Sequence, residues 1–251
     1  MNAELQSWVL YAMLVFCRIG GCIMIMPGLS STRLPVQVRL FFAVGLSLAL
    51  LPVVEPALRE EGLPTTVPAL FVFIAAELVA GGIIGLLARI FFLAFQGLLS
   101  ATSQIIGYSS NAGDVVDDGQ QLPEFATLIS LTATVLIFVS GLHWQLFRGL
   151  VDSYWQIPPG RWIGSARMLS SLTDQLSATF IMALRITSPF FIYGVIVNFA
   201  IGLTNKLVPQ IPVYFISTPF VLAGGIFLLY LLVPEIIEAF MDSFATWVKT
   251  F

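Results

Sequence analysis

The longest apolar stretch of the sequence limits the possible folds most strongly. It covers residues 67–95, and helical spacing continues through a more polar stretch to residue 106, which makes 40 residues in total. A helix of that length measures ~60 Å at 1.5 Å per residue, whereas the hydrocarbon core of a bilayer is only ~30 Å thick. We therefore expect a helix that kinks, folds back on itself or projects beyond the membrane plane.

Composition indicates that this stretch belongs to a membrane protein. Hydrophobic residues make up 58% of the 251 residues and charged residues 10%, at a mean hydropathy of +0.94, whereas about 25% of residues are charged in a typical soluble domain. Five further apolar segments cover residues 8–26, 36–51, 125–151, 176–201 and 213–233. The sequence thus predicts an all-α, hydrophobic, kinked multi-helix protein of membrane type, with residues 1–251 in a single domain.

Prolines predict where several of these helices end or bend. The segment at residues 36–51 lies between Pro35 and Pro52, and it is short for a membrane crossing, so we expect a partial one. Pro189, Pro219 and Pro234 lie in or at the ends of the last two segments. Because proline lacks a backbone donor and clashes with the preceding turn, we expect these prolines to bend or terminate their helices.

Charge and residue counts argue against several function classes. A net charge of −3 leaves no basic surface that would favour nucleic acid. His143 is the only histidine, which argues against a histidine-based metal site or a serine–histidine triad. Cys17 and Cys22 are five residues apart in an apolar helix, and we interpret them as buried, reduced thiols. We therefore expect no catalytic residue, no resident metal and no cofactor.

Charged and small residues inside the apolar segments predict how the helices pack. Glu77 and Arg185 lie near the middle of their segments, and ionisable groups at membrane depth normally face a partner, so we expect interhelical or intersubunit pairs. Gly81 and Gly85 form a GxxxG motif, which is typical of close helix approach within a chain or against another subunit. The basic residues of the loops are too evenly distributed to fix the orientation in the membrane.

A polar stripe interrupts the oily sequence just before its most polar stretch. Gln96, Ser100, Ser103 and Gln104 recur at helical spacing and share one face of the predicted helix. Residues 108–124 then contain four acidic residues and neither Lys nor Arg. We interpret the stripe as the lining of a passage and the acidic stretch as a flexible loop that closes it.

The same acidic stretch permits one enzymatic alternative. Asp114, Asp117 and Asp118 could hold Mg²⁺ for a lipid diphosphate, because Mg²⁺ prefers carboxylate oxygens. A diphosphate site also needs basic residues, which the stretch lacks, and its glycine, serine and asparagine residues favour turns over a rigid cage. A solvated or gating loop is therefore the preferred interpretation.

A series of short motifs extends along nearly the whole chain. They are Arg18-Ile-Gly20-Gly21, Pro27-Gly28, Leu34-Pro35-Val36-Gln37-Val38-Arg39, Glu77 with Gly81 and Gly85, Gln96, Gln104-Ile-Ile-Gly107-Tyr-Ser109, Asn111-Ala-Gly113, Ser140-Gly141-Leu-His143, Asp152-Ser153, Pro158-Pro159-Gly160, Asn198 to Gly202, Asn205-Lys206 and Val208-Pro209-Gln210. In their order and spacing these motifs resemble the FliR family of flagellar type III export-gate proteins. Lys206 occupies a position where the family often has Arg.

The resemblance implies an all-helical, non-enzymatic subunit of an export gate. In the family, FliP and FliQ assemble with this subunit around a channel, FlhB wraps its base, FlhA lies beneath it, and unfolded flagellar proteins pass through. The resemblance implies an inner-membrane location in the flagellar basal body, with the core largely on the periplasmic side. It also implies that a loop plugs the channel, which maps to Gly107, Tyr108, Ser109, Asn111, Gly113, Asp114, Asp117 and Asp118.

Two other functions fit the same sequence features. Related virulence-type secretion systems (injectisomes) use homologous export-gate subunits. A stand-alone multispanning transporter or channel could use the acidic stretch as a lid. Co-purification separates the last of these from an export-gate subunit, because a transporter acting alone should be stable without partners.

Overall fold

A computed structural model describes residues 2–30, 34–62, 64, 66–107, 124–161 and 165–250. These residues form seven α-helices and no strand, so the predicted all-α class is confirmed. The helices are α1 (Asn2–Ile25), α2 (Val36–Glu61), α3 (Val67–Ile105), α4 (Glu124–Val139), α5 (Leu142–Gln156), α6 (Ser165–Leu207) and α7 (Val213–Thr250).

Five of these helices are long and apolar enough to cross a membrane, and α4 with α5 would add a sixth crossing if the pair is counted as one span. Helix α3 is continuous over 39 residues, so the alternative in which this segment folds back on itself is wrong. Its length is ~58 Å at 1.5 Å per residue. It therefore exceeds the ~30 Å of a hydrocarbon core by a wide margin.

Prolines end fewer helices than the sequence predicted. Helix α2 continues through Pro52 and Pro56 to Glu61, so the expectation of a short, partial segment ending at Pro52 was wrong. Proline keeps a helical φ and removes one hydrogen bond, while Leu51 and Val54 beside it are buried in the core. This apolar burial offsets the lost bond. In the same way, α6 continues past Pro189, and α7 continues past two prolines.

The fourth predicted segment, residues 125–151, is divided into two helices. Helix α4 ends at Val139 and α5 begins at Leu142. Between them Gly141 has a φ of 76°, a left-handed conformation that a residue with a side chain rarely adopts. The break therefore depends on glycine at this position.

The chain forms two compact units. Unit 1 comprises Met1–Phe92, Ile137–Leu176 and Ala245–Phe251. Its core draws side chains from α1, α2, α3 and α5, including Val15, Ile19, Val54, Leu58, Ile84 and Leu150. Helices α1 and α2 pack along each other in this core.

Unit 2 comprises Leu93–Leu136 and Ser177–Phe244. Aromatic rings form much of its centre: the rings of Phe95 and Phe240 stack with centroids 4.1 Å apart, and Phe244 stacks on Phe240 at 6.0 Å. Smaller residues such as Ala126, Ala133 and Ala183 are also buried. Such aromatic contacts contribute about 0.5–1.5 kcal/mol per pair beyond their apolar burial.

Candidate functional site

A buried ion pair lies at the centre of unit 1. Arg18 of α1 and Glu77 of α3 meet in two parallel contacts, with Nε 2.7 Å from Oε2 and Nη2 2.9 Å from Oε1. Their side chains are 1% and 0% exposed. Bidentate pairs of this kind combine charge with a fixed geometry. The sequence predicted that Glu77 would pair between helices or between subunits, and in the structure its partner is a helix of the same chain.

The remaining donors of Arg18 bind the end of α5. Nη1 donates to the carbonyl oxygen of Ser153 at 3.0 Å and to its Oγ at 3.3 Å, and Nη2 donates to the carbonyl oxygen of Ile157 at 3.0 Å. With Nε and the second Nη2 contact, the five N–H donors of the guanidinium have five acceptors. Carbonyl oxygens at the end of a helix favour a cation, so Arg18 also caps α5, where the carbonyl oxygen of Ser153 in addition accepts the N–H of Ile157 at 2.8 Å.

Two further groups complete this site. The ring of Tyr154 lies under the guanidinium of Arg18, with the ring centroid 4.0 Å from Cζ, a distance at which a cation–π attraction acts. The backbone N–H of Gly160 donates to Oε1 of Glu77 at 3.1 Å. Gly160 has a φ of 74°, and a Cβ there would lie 2.5 Å from the ring of Phe73. The turn of residues 158–160 therefore needs glycine for two independent reasons.

Glycines bring α1 and α3 close enough for the pair to form. A Cβ at Gly81 would overlap the carbonyl oxygen of Arg18, and one at Gly85 would lie 2.6 Å from the carbonyl oxygen of Cys22. On the opposite helix, a Cβ at Gly21 would lie 2.9 Å from the carbonyl oxygen of Leu78. The GxxxG motif thus brings two backbones of the same chain into contact, and Glu77 lies one turn before it.

This cluster is suited to fixing structure rather than to chemistry. Its opposite charges neutralise each other, the donors of Arg18 are used, and the side chains of Arg18 and Glu77 are sealed from solvent. Arg18, Glu77, Ser153 and Gly160 join α1, α3, the end of α5 and the following turn. We conclude that the cluster fixes the relative register of three helices in unit 1.

Arg185 differs from Arg18 in its exposure and in its contacts. It is exposed on α6 in unit 2. Its backbone carbonyl oxygen accepts a hydrogen bond from Ser188 Oγ at 2.9 Å. Among the residues that the structure describes, the ion pairs are Arg18–Glu77, Arg59–Glu55 and Arg161–Glu61. The pair expected for Arg185 is thus not formed within the described part of the chain.

The end of α3, where the acidic stretch begins, is fixed within unit 2. A Cβ at Gly194 of α6 would overlap the Ile105 side chain, and a Cβ at Gly225 of α7 would overlap that of Ile106. Gly107 then ends the helix with a φ of 77°, and its N–H donates to the carbonyl oxygen of Gln104 at 3.1 Å. We call Ile105, Ile106 and Gly107 the loop root.

A tyrosine supports the glycine contacts around the loop root. Tyr193 precedes Gly194 on α6, and its hydroxyl donates to the carbonyl oxygen of Val221 on α7 at 2.7 Å. A Cβ at Gly224 would lie 2.5 Å from that hydroxyl oxygen. The hydroxyl therefore occupies space that glycine leaves free, and it connects α6 to α7.

The residues of the predicted closure lie mostly outside the described residues. These are Tyr108, Ser109, Asn111, Gly113, Asp114, Asp117 and Asp118. Only Gly107 of that set lies in the described part of the chain. Its left-handed φ favours glycine. The closure itself stays a prediction.

The polar stripe before the loop root is not uniformly accessible. Gln104 is exposed, and Gln96 and Ser100 are half-buried. Ser103 is fully buried, and its Oγ donates to the carbonyl oxygen of Leu99 at 3.1 Å within the same helix. Such bonding satisfies a hydroxyl in an apolar setting. Ser103 thus faces the interior of unit 2 in this conformation, and a passage could be lined only by the other three residues.

The described ranges contain no cluster of metal ligands. No group of three or more His, Cys, Asp or Glu residues in those ranges could hold an ion. His143 lies in unit 1 against aromatic rings, 5.3 Å from Phe138 and 5.4 Å from Trp144 between ring centroids. It is therefore a packed aromatic residue.

Sequence reasoning missed most of the buried cluster in unit 1. The sequence indicated Arg18 and the turn at residues 158–160 only as parts of the motifs that resemble the family. The available signal was the coincidence of a charge of each sign, at positions 18 and 77, in two apolar segments that both carry glycines. Nothing local indicated Ile157, because its backbone carbonyl does the binding.

Together, the long apolar helices and the sealed ion pair define an all-α protein of membrane type. A family model described as bacterial export proteins, family 1, matches residues 9–247. The chain belongs to this family.

Curated relatives align with almost the full length of the chain. The flagellar biosynthetic protein FliR of Caulobacter vibrioides is 24% identical over 97% of each chain. The protein of the same name from Escherichia coli is 26% identical over 92% of this chain and 88% of its own length. The Aquifex aeolicus protein of that name is 23% identical over 98% of this chain and 94% of its own.

Proposed function

We propose that this protein is a subunit of the flagellar type III protein export gate, through which unfolded flagellar proteins leave the cell during flagellum assembly. The observation that carries the proposal is the family match over residues 9–247, together with relatives named flagellar biosynthetic protein FliR that align nearly end to end. The protein forms part of the channel and carries its closure. It performs no chemical reaction of its own.

The proposed setting is a complex in the bacterial inner membrane, at the flagellar basal body. Homologues of FliP and FliQ form the core with this subunit, FlhB and FlhA contact that core, and the core projects to the periplasmic side. Residues 1–251 act there as one functional domain. Support comes from the long α3, which at 39 residues exceeds a bilayer crossing, and from the many exposed apolar side chains of α6 and α7. Large exposed apolar surfaces mark contact with lipid or protein.

The arrangement at the end of α3 supports a gating role for residues 107–124. Apolar contacts from α6 and α7 hold Ile105 and Ile106, so the loop begins from a fixed point. Gly107 lets the chain leave the helix in a left-handed conformation. Gln96, Ser100 and Gln104 precede that point on the same helix and provide polar groups beside an apolar packing layer. Pores seal and conduct by combining apolar constrictions with polar linings.

Deleting residues 108–118 tests the closure. In cells that carry the assembled gate we expect the deletion to let small ions leak across the inner membrane, measured as membrane depolarisation, because the closing segment is gone. A matched variant replaces the same residues with an equal number of glycines and serines, which keeps the chain length. Co-purification of the partner subunits confirms assembly in both variants. An assembled deletion variant that is as impermeable as the unaltered protein would show that these residues do not form the plug.

A virulence-type export gate is the second candidate, and the names of the relatives favour the flagellar one. Deleting the gene should abolish swimming and external filaments. A deletion strain that swims normally would contradict the flagellar assignment. Stability of the purified chain without any partner subunit would instead favour a stand-alone transporter.

A further inference from the structure

The exposed face of α6 has one strongly polar position. Ile181, Arg185, Ser188 and Ile192 follow one another at spacings of four, three and four residues, so they form one stripe along the helix. Apolar side chains on the same side continue this stripe and are more than half exposed: Val195, Ile196, Phe199 and Leu203. We call this stripe, from Ile181 to Leu203, the Arg185 face. The opposite side of α6 is buried in unit 2 through Ala183, Ile186 and Phe190.

Arg185 lies far from the polar ends of this helix. It is the only charged residue between Asp174 and Lys206, which are ~16 Å and ~31 Å away along the helix at 1.5 Å per residue. Helix α6 from Leu172 to Leu207 is long and apolar enough to cross a membrane. The guanidinium is therefore placed within an apolar surface rather than at its edge.

Lipid tails are a poor environment for this side chain. An arginine at the centre of a membrane helix is energetically costly and normally faces a partner or water. A carboxylate at the same depth removes that cost, because it neutralises the charge and accepts two parallel hydrogen bonds. Arg185 forms no ion pair with another residue that the structure describes, so a carboxylate of another chain can take this place.

We propose that the Arg185 face is the docking surface for a membrane-embedded helix of another export-gate subunit, and that this helix presents an Asp or Glu to Arg185. The inference rests on the proposed function for the identity of the assembly. The apolar residues provide the contact area, and the ion pair fixes the axial position of the partner helix, because a displacement by one turn leaves both charges unpaired. A single polar residue in an apolar helix contact can fix register in this way, as a buried asparagine does in coiled coils.

Co-purification from native membranes tests the surface. With an affinity tag on the full chain, we expect R185E to reduce recovery of at least one partner subunit at least tenfold, because it opposes two carboxylates. R185K should retain most of the recovery, since it keeps the charge. R148E is the matched control: it makes the same charge reversal at an exposed position of α5, outside the Arg185 face, and should leave recovery unchanged. Normal recovery of all partners with R185E would overturn the proposal.

Photo-crosslinking identifies what covers the face even if R185E does not accumulate. A benzophenone amino acid at Ile192, with Arg185 intact, should give an adduct with another polypeptide, and mutation of one Asp or Glu in that polypeptide to Arg should restore motility to R185E. An adduct with lipid only, or with residues 108–123 of the same chain, would refute the proposal. The failures of the two proposals can be distinguished. If the proposed function is wrong, no partner subunit co-purifies with the unaltered chain. If only the proposal for the Arg185 face is wrong, the partner subunits still co-purify with R185E.

Discussion

The two units of this protein are stabilised by different kinds of contact. Unit 1 is organised around Arg18 and Glu77, whose hydrogen bonds tie α1 and α3 to the end of α5 and to a glycine turn. Unit 2 is stabilised by the stacked rings of Phe95, Phe240 and Phe244. Glycines of α6 and α7 leave space for the side chains of Ile105 and Ile106.

The Arg18–Glu77 cluster of unit 1 is thus more directional than the ring stacking and the glycine contacts of unit 2. Charge-assisted hydrogen bonds have strict geometry, so the helices of unit 1 cannot slide without breaking several of them. Apolar contacts depend mainly on the area in contact and less on direction. Unit 2 carries the loop root and the Arg185 face. We expect small displacements to cost less there than in unit 1.

Removal of the Glu77 carboxylate should have the largest effect. E77A leaves Arg18 buried without its counter-charge, and breaking a buried pair in this way costs about 3–5 kcal/mol. We expect a large fall in thermal stability in detergent and in the amount of protein found in membranes. E61A is the matched control, since the Glu61–Arg161 pair is exposed, with an arginine side chain 67% exposed, and exposed pairs contribute about 0–1 kcal/mol. Equal effects of E61A and E77A would contradict the special role of the buried cluster.

An added methyl group beside the loop root should have an intermediate effect. In G225A the new Cβ overlaps the Ile106 side chain, and overpacking of this kind costs typically about 1–3 kcal/mol. The higher helix propensity of alanine than of glycine offsets up to about 1 kcal/mol of that cost. We expect lower thermal stability and, in cells, a change in ion leakage because the root of the closure moves.

Gly202 of α6 provides the comparison for G225A. A Cβ at Gly202 meets no atom within 4 Å, so G202A should be neutral or slightly stabilising. If G225A and G202A behaved alike in thermal unfolding, the contact between α7 and Ile106 would not fix the end of α3.

Loss of one hydroxyl in unit 2 should have the smallest effect. Y193F removes the hydrogen bond to the carbonyl oxygen of Val221, which contributes about 1 kcal/mol. The expected result is a lower melting temperature by a few degrees without loss of assembly. Y214F, at a position 67% exposed, is the control and should leave the melting temperature unchanged. A fall as large as that of E77A would show that unit 2 also depends on directional contacts.

Local sequence features predicted most of the helices but not all of their ends. The all-α class and the overlong third segment were readable because apolar runs of that length have few alternatives to a helix. Pro52 was misleading: whether a helix continues past a proline depends on the packing of neighbours such as Leu51 and Val54, and that packing involves side chains distant in sequence.

The functional residues also differ in how far the sequence alone could predict them. The sequence indicated Gly81 and Gly85 as close-approach positions and Glu77 as a residue in need of a partner, because each statement follows from one residue type in an apolar helix. The sequence did not indicate which helix approaches these glycines or which cation pairs with Glu77. Both depend on contacts between residues far apart in the chain: 59 residues separate Arg18 from Glu77, and 139 separate Arg18 from Ile157.

By itself the sequence determined a helical membrane-type chain, a charge at depth in several helices, a polar stripe and a stretch rich in acidic residues. Those properties follow from residue type and helical period alone. Only the tertiary structure decided that Arg18 is satisfied within the chain while Arg185 is exposed, and that Ser103 is buried while Gln104 is not. The physical reason is that burial and pairing are properties of neighbours in space, which the periodicity of a single helix does not specify.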